Sequence, residues 1–181
     1  MGLFDFLRNN ENAIHYNDKI WVNQHAKLNG LLQLFDQSKN IVLIAWFEET
    51  KNFVERFLAQ ANQVETIIMA KQSNASQVEN KTVIFLEHYP LRKKEQTIIQ
   101  GWQAKEIIFL SALDEPFLQQ FGGEKILAIM QQLGMKEDEC IEHEIISKSI
   151  VRAQEKLEEK ILLDPTAHSA REWFSKYQFI E

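Results

Sequence analysis

The sequence predicts an α/β fold built on a mostly parallel sheet, and three observations carry that expectation. Between residues 39 and 110, short apolar runs alternate with segments of helical period. The first run, "NIVLIAWF" (40–47), is apolar throughout, the mark of a strand covered on both faces. The segments between runs are of helix length, as right-handed crossovers between parallel strands require.

Taken in order, "KIWV" (19–22) reads as a short edge strand, and "NQHAKLNGLLQLFDQ" (23–37) as a covering helix capped by Asn23. "NIVLIAWF" follows as a strand. "EETKNFVERFLAQA" (48–61) is a helix with Phe53, Val54, Phe57, Leu58 and Ala61 on one face. "VETIIMA" (64–70) is the next strand, and "KQSNASQVENK" (71–81) a polar loop with one helical turn. "TVIFLEH" (82–88) and "EIIFLSA" (106–112) are strands that flank the helical "LRKKEQTIIQGW" (91–102). After residue 113 the strands stop. "EPFLQQFG" (115–122) places Pro116 in a first helical turn, and Gly122-Gly123 breaks the pattern. "EKILAIMQQLG" (124–134) resumes it, with Gly134 as the C-cap. "IEHEIISKSIVRAQEKLEEKILL" (141–163) is the longest helical signal, striped by Ile145, Ile146, Ile150, Ala153, Leu157 and Ile161. The chain breaks at Asp164-Pro165 before one last helix. These patterns divide it into an N-terminal amphipathic segment (1–17), an α/β domain (18–113) and a helical extension (114–181).

At 181 residues the chain is long enough to bury a real core. A formal net charge of −6 argues against a nucleic-acid grip, which needs clustered cations. "LRKK" (91–94) is the densest basic run and reads as a solvated turn. The single cysteine, Cys140, excludes an internal disulfide, and its acidic surroundings disfavour a thiolate. No run is long enough for a membrane span and no signal peptide is visible, so the expected location is cytoplasmic. Leu3, Phe4, Phe6 and Leu7 fit a short amphipathic helix, for packing onto the domain itself or, less favoured, for a membrane surface or a partner.

Sites for chemistry are sparse. No "GxxxxGK[ST]" phosphate loop and no "GxSxG" elbow occurs. "HEIIS" (143–147) starts like a zinc-protease helix but has Ser147 where the second histidine belongs. Glu87 and His88 stand at the C-terminal end of a strand, where open α/β sheets bind ligands, although solvated or backbone-bonded roles are the commoner ones there. Trp21, Trp46, Trp102 and Trp173 read as core or interface anchors. The expectation is no metal and no cofactor.

Two blocks resemble the SecA preprotein-translocase motor ATPase family, in its second RecA-like nucleotide-binding domain. The first (18–60) is similar to the entry segment of that domain, with Ala26, Lys27 and Asn29 matching its "AKxN" helix. The second (109–159) resembles a strand running into "LSLEDxLxxxFG", then a helix ending "LGM", an acidic "EGEPIE" and an "AIxxAQKKVE" helix. It spans the join between the RecA-like sheet and the start of the helical scaffold. The resemblance implies a RecA-like, P-loop-NTPase-type fold.

The departures bear on function. In the family, a "GRGTD" turn and a "GRxGRxGD" loop send arginines to the nucleotide; here "QGWQAK" stands in place of the loop, without arginine. No stretch resembles the first nucleotide-binding domain, so the resemblance implies a degenerate, non-catalytic domain that binds or scaffolds protein. The alternative is an ATPase half-site completed in trans by a Walker-motif protein, with Arg92, Lys93 and Lys94 as the grouped phosphate candidates. A third is an unrelated small-molecule enzyme at Glu87 and His88. For the binding role the candidate surface is Ile145, Ile146, Ile150, Leu157, Trp173 and Phe174. Trp173 and Phe174 are expected to fold back over the long helix, or a homodimer to cover it.

Overall fold

The computed structural model describes residues 16–123, 126–128, 136 and 138–177, and the side chains of all of these except Tyr16. Strand β1 (Tyr16–Trp21) leads into helix α1 (Gln24–Gln37), whose first turn is closed by Asn23 Oδ1 accepting from the Ala26 N–H at 2.8 Å. Strand β2 (Ile41–Ala45), helix α2 (Glu48–Gln60) and strand β3 (Ile67–Met69) follow. Next come helix α3 (Ala75–Val78), strand β4 (Thr82–Phe85), helix α4 (Arg92–Ile99) and strand β5 (Glu106–Ala112). Helices α5 (Pro116–Gln120), α6 (Glu144–Lys160) and α7 (Ala170–Ser175) complete the described chain.

All neighbouring strands run parallel, in the order β1-β5-β4-β2-β3. This is the expected α/β class: an open parallel sheet flanked by helices, consistent with a RecA-like fold. Apolar runs without alternation work here because both faces are covered. Leu43, Ala45, Ile84, Leu86, Ile108 and Leu110 face one core, which continues into α1, α2, α5, α6 and α7. Val42, Ile44, Val83, Phe85, Ile107 and Phe109 face a smaller one with Val78, Ile99 and Trp102. No described helix is long and apolar enough to cross a membrane.

Several expectations shift at their ends. The third strand keeps only three residues, because as an edge strand it pairs with β2 alone; Val64 is left 95% exposed. Phe53 is exposed, and α2 turns Val54 and Leu58 to the core instead. The long helix starts at Glu144 because Ile141 is held in an antiparallel bridge to Ile20, with backbone bonds of 2.8 and 3.1 Å. The expected helix at 124–134 and its Gly134 cap fall largely outside the described residues, as do Leu3, Phe4, Phe6 and Leu7.

At the Gly-Gly pair the two residues have different reasons. Gly122 has φ +92°, which a side chain resists. At Gly123 an added Cβ would stand 2.6 Å from the Leu113 carbonyl oxygen. Backbone cannot yield as a flexible side chain does, so Gly123→Ala is expected to cost about 2 kcal/mol, within the range for overpacking. An unchanged urea midpoint for G123A would contradict this close approach.

Candidate functional site

Every strand ends at the same edge, and the connections diverge there. From β2 the chain moves outward to β3, whereas β4 lies on the other side of β2 and leads on to β5. The crevice beyond the ends of β2 and β4 is therefore the topological switch point, where open α/β sheets bind ligands. Four ionisable side chains sit buried around it: Asp18, Lys27, Glu87 and His88. Glu95, also buried, joins them from α4.

His88 lies just past β4 and is clamped on both sides. Its Nε2 is 3.0 Å from Asp18 Oδ1 on β1, and its Nδ1 is 3.0 Å from Glu95 Oε1 on α4. Both nitrogens donate only in the imidazolium. Burial alone would lower the His88 pKa, but the Glu95 and Asp18 carboxylates outweigh it and raise the value to about 10. Burial likewise works to raise the Asp18 carboxyl, yet its bond to His88 and the imidazolium charge hold it below its ordinary value. The ring stacks on Phe109 at 4.5 Å between centroids and 3° between planes, a geometry that favours a cation. A small cavity of about 90 Å³ adjoins this cluster, bounded by Arg92 and by Ser147, Ile150 and Gln154 of α6.

Lys27 is the second buried cation. Its Nζ donates to the Leu86 carbonyl at 2.8 Å and pairs with Glu115, whose other oxygen accepts from the Ala112 N–H at 3.1 Å. One lysine thus ties α1 to the ends of β4 and β5.

Glu87 faces the head of α2. Oε1 accepts from the backbone N–H groups of Trp46 (3.2 Å) and Phe47 (3.1 Å), and Oε2 accepts from the Thr50 hydroxyl at 2.6 Å. Burial pushes its carboxyl up to about 7, against the Thr50 bond and the Lys27 charge. Phe47, at the N-cap position, has no capping side chain of its own. Glu87, just past β4, accepts from that residue's own N–H.

Beside Glu87 a cavity of about 280 Å³ opens between the ends of β2, β3 and β4. Residues 164–168 run along it. Asp164 Oδ1 accepts from the Tyr89 hydroxyl (2.5 Å) and from Trp173 Nε1 (3.0 Å), and Oδ2 pairs with Lys94 at 3.1 Å. His168 pairs with Glu48 at 3.0 Å, and its carbonyl accepts from the Glu49 N–H at 3.0 Å. Burial and the Asp164 bond hold the Tyr89 phenol well above its ordinary value.

Of the phosphate candidates, Lys93 and Lys94 line one shallow cavity with Glu158 and Asp164, and Arg92 lies apart from them. Lys93 pairs with Glu158 (3.7 Å), Lys94 with Asp164, and Arg92 lies by Asp18 and His88. In the candidate surface, Ile150, Leu157, Trp173 and Phe174 are buried in the chain's own main core, Ile146 is half-buried, and Ile145 is 67% exposed. Burial and the Glu142 charge push the Cys140 thiol up to about 11. Sequence reasoning placed Glu87 and His88 at a strand end. Glu87 does bond backbone, but His88 is neither solvated nor backbone-bonded, because two carboxylates, one distant in the chain and one seven residues on, enclose it. Asp18, Glu95 and Glu115 were missed; nothing local distinguishes them from surface acids.

Two outcomes follow from this wiring. Replacing His88 by Phe leaves Asp18 and Glu95 buried without a cation, and breaking such a pair costs about 3–5 kcal/mol in denaturant unfolding at neutral pH. Because the folded pKa is raised, the histidine's contribution is whole below pH 6.5 and is lost as pH rises through about 10. Wild-type stability should fall over that window and H88F stability should not follow it. Truncation after Leu163 removes Trp173 and Phe174, both 0% exposed, so new oligomers or aggregates are expected in light scattering. A truncated chain as soluble and as stable as the full one would contradict this.

No family model matches the chain. Curated relatives do. Protein translocase subunit SecA of Chlorobium phaeobacteroides is 42% identical over 55 residues, 30% of this chain and 5% of the relative. SecA of Acidithiobacillus ferrooxidans is 46% identical over 52 residues, 29% of this chain and 6% of the relative. SecA of Parabacteroides distasonis aligns over 141 residues at 28% identity, 75% of this chain and 12% of the relative. The chain thus spans only a small part of the length of the relatives it matches. Over up to three quarters of its own length, it is similar to one region of SecA.

Proposed function

We propose that this chain is a SecA-like RecA domain linked to protein translocation, and that it acts in the cytoplasm by binding protein rather than by nucleotide chemistry. One observation carries the reading. At the switch point, Glu87 accepts from the N–H groups of Trp46 and of the N-cap residue Phe47, and the His168 carbonyl accepts from the Glu49 N–H in the first turn of α2, the natural place for a phosphate. An incoming phosphate would meet a buried acid there. The "QGWQAK" segment, read here as standing in place of the arginine loop, supports the same reading. It turns through Gly101 at φ +79° and buries Trp102, which stacks on Phe85 at 6.0 Å. It carries no arginine to offer a neighbouring site. For a protein partner, Ile145 is the exposed member of the helix stripe, close to the start of α6.

Titration calorimetry with Mg-ATP and with ADP tests the reading. No binding tighter than about 10 µM is expected, equivalent to roughly 7 kcal/mol. Tighter binding, or stimulation of a Walker-motif translocase ATPase that depends on Arg92, Lys93 and Lys94, would overturn it in favour of the half-site.

A further inference from the structure

The last described stretch, residues 163–177, is an arm braced by its own bonds. Asp164 Oδ1 accepts from Trp173 Nε1 at 3.0 Å, Glu172 Oε2 accepts from the His168 N–H at 2.7 Å, and the Ser169 hydroxyl caps α7 by accepting from the Glu172 N–H at 3.0 Å. Lys176 donates to the Thr166 carbonyl and Tyr177 to the Leu163 carbonyl, which closes the arm on itself. Outside itself the arm plugs a socket built from residues between 48 and 117. His168 pairs with Glu48, and Asp164 with Lys94 and Tyr89. Trp173 packs edge-on against Tyr89 at 6.3 Å, Phe174 lies 6.3 Å from Phe117, and both Trp173 and Phe174 are fully buried.

A short hinge joins this arm to α6, and its residues work against folding back. Ile161 leaves the helix with extended backbone, φ −104° and ψ 110°, and not through a left-handed turn. Pro165 fixes its own φ and biases Asp164 towards extended backbone. The bend that brings the arm home falls between them, at Leu162 and Leu163. Bent in this way, the two side chains stand 95% and 80% exposed. Self-docking of the arm is what displays them. A straight hinge removes the bend, but then the arm no longer reaches its own socket.

We propose that the chain forms an arm-exchanged dimer, in which residues 163–177 of each copy fill the socket of the other. Arm and socket are the same in both copies, so every bond of the docked arm is kept. Short hinges under strain invite such an exchange, and exchange of identical elements closes with two-fold symmetry. The straightened hinges cross at the axis, where Leu162 and Leu163 of one copy meet those of the other. That contact is what the dimer gains over two separate chains. It does not depend on the protein-binding reading and stands or falls apart from it.

The test uses the full chain in two preparations, unlabelled and ¹⁵N-labelled, mixed equally, unfolded in urea and refolded together at on the order of 100 µM. A zero-length carbodiimide then joins Lys94 to Asp164, which pair at 3.1 Å with both side chains partly exposed. Mass spectrometry of the linked peptides reads whether the two residues come from one copy or from two. With exchanged arms, about half of the Lys94–Asp164 links carry mixed label. Links of unmixed label alone overturn the proposal, whether the chain is then monomeric or dimerises side by side. Leu162→Ser combined with Leu163→Ser changes two exposed side chains, so the unfolding midpoint of the dilute chain should stay where it is. Dimerisation of that variant, followed by sedimentation, should weaken about tenfold or more. Undiminished dimerisation would overturn the hinge contact and the proposal with it.

Discussion

An imidazolium held between two carboxylates joins the first strand of the sheet to a helix that begins some seventy residues later. Asp18 and His88 are 70 positions apart in the chain, yet their side chains meet at 3.0 Å with almost no water access. Ile44, Phe85, Phe109 and Asp18 occupy one row across β2, β4, β5 and β1. Three places in the row are apolar and the fourth, at the sheet's edge, is an acid. His88 lies over Phe109 and reaches that acid. Buried charge pairs add little net stability, but a pair broken by misalignment is costly. The clamp is thus better understood as alignment. β1 one residue out of register would put Asp18 on the opposite face and leave His88 and Glu95 mismatched.

The same constraint explains the rest of the edge. Five parallel strands deliver their ends to one side, where carbonyls and helix heads all need partners. Lys27 serves the ends of β4 and β5, Glu87 serves the head of α2, and Asp164 fastens the C-terminal segment to Tyr89. Each of these side chains comes from a different element than the one it satisfies. The edge is closed by long-range bonds of this kind, with cavities left beside Trp46 and beside the His88 cluster.

What the sequence reveals follows from how local each signal is. The strands and α1 were legible because unbroken apolar runs and an Asn cap act within a few residues. The Lys27 position was legible too, through its motif match, although not its role: only the folded chain brings Leu86 and Glu115 to its ammonium. Strand ends were less legible, since β3 is cut short by having one neighbour and the long helix by the Ile20–Ile141 bridge. The clamp at His88 was invisible for the same reason. Asp18 lies in "YNDKIW", which reads as an ordinary polar lead-in, and Glu95 in a basic run that reads as surface. Asp18, 70 residues from His88, leaves no trace in a window of ten, and Glu95, seven residues on, is masked there by its basic neighbours.

Pairing the first strand with the last has a consequence for how the chain comes to exist. Asn17 and Glu106, bonded across β1 and β5, are separated by 89 residues. Strands β2, β3 and β4 connect over much shorter stretches of chain, so they can assemble while β1 still has no neighbour. During synthesis β1 leaves the ribosome well before β5 and must wait for it to emerge, with a chain-closure cost of about 4 kcal/mol to meet. Contacts of such long range slow folding. For that interval Ile20 and Trp21 remain in water, and an unpaired apolar strand is what holding chaperones recognise. A nascent chain of this topology therefore carries an unpaired strand throughout the interval between the synthesis of β1 and that of β5.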